Sequence, residues 1–399
     1  MVGCRAWSLG TASANAAGGR KGPRNRRSRQ GGESMTDAEV TDRTLWCVPG
    51  GGVLYRTPAM ADGAVHVLDG FFDLAAIDAD TGQRRWTLRA DAGIGTSPVA
   101  VDGGVYFADT VGCLTAVDAA TGEVRWKWRA RRSKMSKPTV ADHIVYSLAH
   151  DGSMWAVDGL TGQPVWNVRV ADHPTSNDPS PAVSQGSLYA AVGGRLLALD
   201  TTTGSRRWDV RPFGGVRQTP TVARGVVYVG GDEGLVAMDA ATGQERWRLS
   251  PGGAVWASPA VDEGIAVFGV EGWCLTAVDT GTGQERWRVK TRGEIHSSPV
   301  VVDATLYIRN GKHLWAVDAV TGEERWKQET GAAQESSAAV ADGTVYIGSE
   351  DESLWAVDAV TGEERWRLHT GGEVRATPVV ADGTVYVGSE DDFLYAIHT

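Results

Sequence analysis

The chain has 399 residues, an ordinary apolar content of 42%, and two outlying counts, 51 Gly and 16 Trp. No apolar run approaches the length of a bilayer-spanning helix, and the first 34 residues contain no apolar h-region, so neither a membrane span nor a secretory signal is expected. The formal charge of −10 is split: residues 1–34 hold seven Lys/Arg against Glu33, a head of +6, which leaves −16 on the rest and argues against non-specific nucleic-acid binding there.

In chain order, residues 1–40 are basic, Gly/Ser-rich and without periodicity. A disordered tail is expected; the alternative is a true start at Met35. Residues 41–399 read as a single domain. Cys4, Cys47, Cys113 and Cys274 lie far apart with no CxxC pair, which fits a reducing, cytoplasmic setting and offers no thiolate metal site.

From Thr57 the chain repeats itself. A segment typified by TPVVADGTVYVGS occurs nine times, starting at Thr57, Ser97, Lys137, Ser180, Thr219, Ser258, Ser298, Ser337 and Thr377. TPVVA reads as a first strand. ADGT is a turn with Asp as its cap and Gly at positive φ, and TVYVGS, β-branched and aromatic, is a second strand. An LWAVD-like third strand alternates with period two. It enters D-x-x-T-G, a hairpin loop with Gly in the left-handed position, and a fourth strand of the EERWRL type follows. The Asp of this unit stands at Asp78, Asp118, Asp158, Asp200, Asp239, Asp279, Asp318 and Asp358. Its Trp stands at Trp86, Trp126, Trp166, Trp208, Trp247, Trp287, Trp326 and Trp366. The string LWAVDAVTGEERW is identical at Leu314–Trp326 and Leu354–Trp366.

About forty residues per four strands predicts an all-β fold, a β-propeller of four-stranded antiparallel blades. The last unit breaks off at LYAIHT, with His398 in the Asp column. Trp46 precedes Thr57 at the spacing by which Trp366 precedes Thr377. The N-terminal strand is therefore expected to pair with the C-terminal one, because an unclosed ring would leave bare strand edges. Nine blades result; eight plus an extra repeat is the alternative.

The in-register motif A-x-D-x-x-T-G-x-x-x-W resembles the tryptophan-docking repeat of PQQ-like (quinoprotein-type) propellers, over roughly residues 45–399. That group includes quinoprotein alcohol dehydrogenases, an outer-membrane assembly lipoprotein and stand-alone bacterial repeat proteins, usually with eight blades. For a quinone enzyme the resemblance implies an adjacent Cys–Cys pair, a Ca²⁺ site of Glu, Asn and Asp, a catalytic Asp and long insertions. This chain has no Cys–Cys pair, and its largest insertion is three residues, before Ser180. No enzyme activity, metal or cofactor is expected, PQQ being suggested by the resemblance alone. An Asp repeated eight times is expected to accept N–H groups of its own turn, and each Trp to lie against the next blade.

Function is sought where the blades disagree. Two residues before the [ST]-P step the column reads Tyr55, Gly95, Met135, Asp178, Arg217, Trp256, His296, Glu335 and Arg375. It belongs to the loops that lead into the inner strands. The loops joining second to third strands open on the same face and add Trp273 and an acidic rim. The expectation is a monomeric, non-catalytic scaffold that binds a protein or peptide with a basic segment, and neither nucleic acid nor membrane. Neutral drift of exposed positions is the competing explanation. The alternatives are a sensor holding a small polar ligand between Arg217, Arg375 and Trp256, and a PQQ-dependent dehydrogenase-like enzyme. KWRARRSK at Lys127–Lys134 is read as a solvated loop.

Overall fold

The computed structural model describes residues 43–399 apart from 53, 55, 131–132, 172–178, 213–215, 217, 263, 292, 294, 296 and 332–335. The predicted tail and the alternative start at Met35 lie outside the described residues. The described residues form nine four-stranded antiparallel sheets and no helix. Each sheet is one blade. Blade 8, for example, runs Ala339–Ala341, Thr344–Gly348, Ser353–Asp358 and Glu364–His369 from the channel outward. Eight blades are each built from one continuous stretch of chain.

The ninth blade joins the two ends. Its first three strands are Val379–Ala381, Thr384–Gly388 and Phe393–His398, and its outer strand is Thr44–Pro49. Cys47 lies opposite Tyr395 and Val48 opposite Leu394 in antiparallel register. The ring therefore closes with nine blades, and the alternative of eight falls. Closure pairs the main-chain groups of the last strand, which otherwise offers an edge to any passing strand.

There is no single central core. Nine apolar clusters lie between successive blades, one per junction. Between blades 7 and 8, Leu314, Ala316 and Trp326 pack against Val345, Ile347 and Val357. The cluster across the closure joins Trp46, Tyr386 and Leu394 to Val65 and Ile77. Strand alternation explains this: successive side chains point to opposite faces, so each blade buries both of its faces.

The turn between first and second strands differs from the expectation. Asp does not merely cap it: Asp62 and Gly63 both sit at positive φ, 49° and 63°. This is the two-residue hairpin geometry that matches the right-handed twist of the flanking strands. Asp tolerates the left-handed region better than most side chains, which accounts for the Asp-Gly pair.

Candidate functional site

One rim of the ring carries the repeated turns between third and outer strands. In blade 8, Asp358 Oδ1 accepts from the Thr361 N–H at 2.8 Å, and Oδ2 accepts from Arg365 at 2.7 Å. A β-bulge makes this possible. Ala356 faces Trp366 and Val357 faces Glu364, so Arg365 is the extra residue and is turned towards Asp358. The same ion pair recurs as Arg85–Asp78, Arg125–Asp118, Arg207–Asp200, Arg246–Asp239, Arg286–Asp279 and Arg325–Asp318. The guanidinium, with help from the Thr groups, holds Asp118, Asp200, Asp239 and Asp279 down to about 2. These carboxylates favour the fold at neutral pH, and their contribution is lost as pH falls from 3.8 towards 2.

The tryptophans join neighbouring blades. Trp326 Nε1–H donates to Ala359 O at 3.0 Å, one blade onward, and Tyr307 Oη–H donates to the same carbonyl at 3.0 Å. Equivalent indole bonds run from Trp46, Trp86, Trp126, Trp166, Trp208, Trp247 and Trp287. The ring of each lies on the Gly of the next T-G turn. A Cβ on Gly362, at φ 76°, would come within 2.6 Å of the Trp326 ring. The Gly thus serves the turn and the preceding blade's Trp together. Trp366, the indole ahead of the truncated ninth unit, is likewise buried and lies beside the Tyr of its own blade, Tyr346, with ring centroids 5.8 Å apart.

Blade 1 has His66 where most blades have the Tyr beside the docked indole. Its Nε2 lies 3.2 Å from Ala119 O, which also accepts from Trp86. A carbonyl only accepts, so this nitrogen carries the proton. Burial lowers the His66 pKa below 6.5, outweighing the Ala119 and Ala59 carbonyls and the charge of Asp62 that favour protonation. The folded state therefore prefers neutral His66, and the unfolded chain takes up the proton as pH drops below about 6.5. Stability is expected to fall there by at most about 1.4 kcal/mol per pH unit from this group. His66→Tyr should flatten the melting-temperature profile between pH 7 and pH 5; an unchanged slope would remove this role.

The opposite rim carries the variable loops. In several blades backbone bonds tie the loop leading into the inner strand to the loop between second and third strands. Glu271 N–H donates to Ala254 O at 2.8 Å in blade 6, His150 N–H to Lys134 O at 2.8 Å in blade 3 and Glu390 N–H to Glu373 O at 2.9 Å in blade 9. Trp256 and Trp273 stand on the two joined loops of blade 6, 43% and 54% exposed. Arg375 is described but not free: it pairs with Glu373 at 2.6 Å and Glu390 at 3.1 Å, which raise its pKa. Gly95 lies in the channel mouth. Met135 corrects the expectation of a surface residue, since it is 1% exposed among Leu114, Ala130 and Val145. Its loop is pinned to Ala149 by a backbone bridge, which turns the side chain into the apolar junction. Tyr55, Asp178, Arg217, His296 and Glu335 lie outside the described residues.

The sequence pattern of the family described as outer membrane protein assembly factor BamB matches residues 34–110, 70–240, 231–339 and 314–399, nearly the whole ring. The chain belongs to this family of PQQ-like propellers. No curated protein sequence matches it. Among solved structures, BamB from Moraxella catarrhalis is 15% identical with a TM-score of 0.62, over 89% of this chain and 99% of that one. Saccharomyces cerevisiae Sqt1 is 11% identical with a TM-score of 0.61, over 90% and 99%. Quinohemoprotein alcohol dehydrogenase from Comamonas testosteroni is 17% identical with a TM-score of 0.58, over 77% and 74%. At these identities the likeness is one of fold.

Among the described residues no group of three or more His, Cys, Asp and Glu could hold a metal ion. Among the described residues the free thiols are Cys113 and Cys274, in blades 2 and 6. Sequence reasoning also missed two features. Arg309 is buried in blade 7 and donates to Gly331 O at 2.6 Å and Gly348 O, tying its blade to the next. The other is a cavity of about 360 Å³ in the channel mouth, bordered by Arg56, Lys134, Lys137 and His150. The available signal was Lys137 itself, the one charged residue in a column of hydroxyls.

Proposed function

We propose that this propeller is a non-enzymatic interaction scaffold that binds a protein or peptide through its loop rim. The observation that carries the reading is the pair Trp256 and Trp273, 43% and 54% exposed on adjoining loops. Large exposed aromatics are what interface hot spots use, and folding alone gives no reason to leave them in water. The family's description as an assembly factor supports a protein partner. Glu350, Asp351, Glu352, Asp391 and Asp392 on the same rim suit a partner with a basic segment. A cytoplasmic monomer without a cofactor completes the reading.

The test is cross-linked capture by wild type and by the Trp256→Ala/Trp273→Ala double variant. Both changes are at exposed positions, so the melting temperature should hold within about 1 °C. Partners captured by the wild type and lost by the variant support the rim; equal capture removes it. Dye-linked dehydrogenase activity on adding PQQ would overturn the non-enzymatic reading.

A further inference from the structure

The channel-mouth cavity is built from the ends of inner strands, where the repeat is otherwise uniform. The column that opens these strands holds Thr57, Ser97, Ser180, Thr219, Ser258, Ser298, Ser337 and Thr377, eight hydroxyls, and Lys137 in blade 3. Lys137 lies in the cavity with Arg56, Lys134 and His150, and with the Ser97 and Thr219 hydroxyls from other blades. No carboxylate is among the described residues that border it.

We propose that this cavity binds a phosphoryl group, as inorganic phosphate or the head of a small phosphomonoester, with Lys137 as its central cation.

Four observations bear on this. Lys137 and Lys134 make no ion pair among the described residues, whereas Arg365 is held by Asp358 and Arg375 by Glu373. Lys137 is exposed to channel solvent, yet the protein packed around it pushes its pKa below the ordinary lysine value. A cation partly withdrawn from water is stabilised by an anion placed beside it. The donors are lysine, arginine and imidazole with hydroxyls, contributed by several blades. A phosphoryl group brings three strong acceptor oxygens and a charge of about −1.5 to −2, where a carboxylate brings two coplanar oxygens and −1. Finally, no Phe, Tyr or Trp borders the cavity among the described residues, so it offers no aromatic platform for a nucleobase or a quinone ring. The proposal stands apart from the protein-binding reading, whose tryptophans belong to blade 6.

Lys137→Ser gives blade 3 the residue type of the other eight and leaves the fold intact. Calorimetric titration and thermal melts of the full chain would use inorganic phosphate and glycerol 3-phosphate, with acetate and sodium chloride at matched ionic strength as controls. Wild type is expected to bind one or both phosphates and melt higher in their presence, while acetate leaves it unchanged. Lys137→Ser should weaken binding by at least about tenfold and, without ligand, melt at or above the wild-type temperature. A stronger response to the ester assigns an organic phosphate, and an equal one assigns free phosphate. No heat and no shift with either at about 10 mM, or an equal response from Lys137→Ser, would overturn the proposal.

Discussion

Trp326→Ala is expected to lower the melting temperature by about 5 °C. Burying a Trp removes roughly 150–250 Å² from water, worth at most about 4–6 kcal/mol at about 25 cal/mol/Å². Truncation of a buried Trp to Ala costs about 3–5 kcal/mol. For a ring of this size the unfolding entropy is about 0.7 kcal/mol per degree, which converts about 4 kcal/mol into the stated shift. Trp326→Phe separates the parts. It keeps most of the apolar area and loses the N–H that reaches Ala359 O, at a cost of about 1 kcal/mol. Gly362→Ala attacks the same contact from the other blade, where its Cβ would meet the indole at 2.6 Å and φ is 76°. Because both changes break one contact, their effects should be less than additive. A Trp326→Ala protein that melts with the wild type would show that the indole does not hold the junction.

Removing the closing strand has the larger effect. A chain starting at Gly50 loses Thr44–Pro49, and with it five paired positions from Thr44–Ile397 to Pro49–Phe393. It also loses Trp46, its bond to Ala79 O at 2.9 Å and its contact with Tyr386. The outer face of Phe393–His398 becomes an open edge, and the junction of blades 9 and 1 loses its central ring. The expected result is loss of the monodisperse, cooperatively melting species, with aggregation on size exclusion. A chain starting at Met35 keeps the strand and should behave as the full chain does. Wild-type melting by the Gly50 chain would mean that the ring does not depend on joining its ends.

The fold was legible because the repeat carries it. Spacing of Asp and Trp gave the blade, and the position of Trp46 relative to Thr57 gave the closure. What spacing could not show was why T-G recurs: the Gly is needed by a tryptophan of the preceding blade, as Gly362 is by Trp326, so the pairing is between blades. The Asp-Gly turn was half read, because both residues occupy the left-handed region. The candidate site was read less well. Position in the repeat located the loops but not side-chain direction, so Met135 turned out to be core and Arg375 to be bound by Glu373 and Glu390. Lys137 escapes notice in the sequence because it sits in the hydroxyl column, two residues after the column that varies most.

The central claim is that the repeated residues hold the ring and the unrepeated rim binds. It is tested most directly by measuring quantitative partner capture and melting temperature side by side for Trp256→Ala/Trp273→Ala and Trp326→Ala. The account predicts that the rim variant melts with the wild type and captures nothing, and that the junction variant melts about 5 °C lower yet, while folded, captures as the wild type does. Full capture by the rim variant, or loss of capture confined to the junction variant, would contradict it.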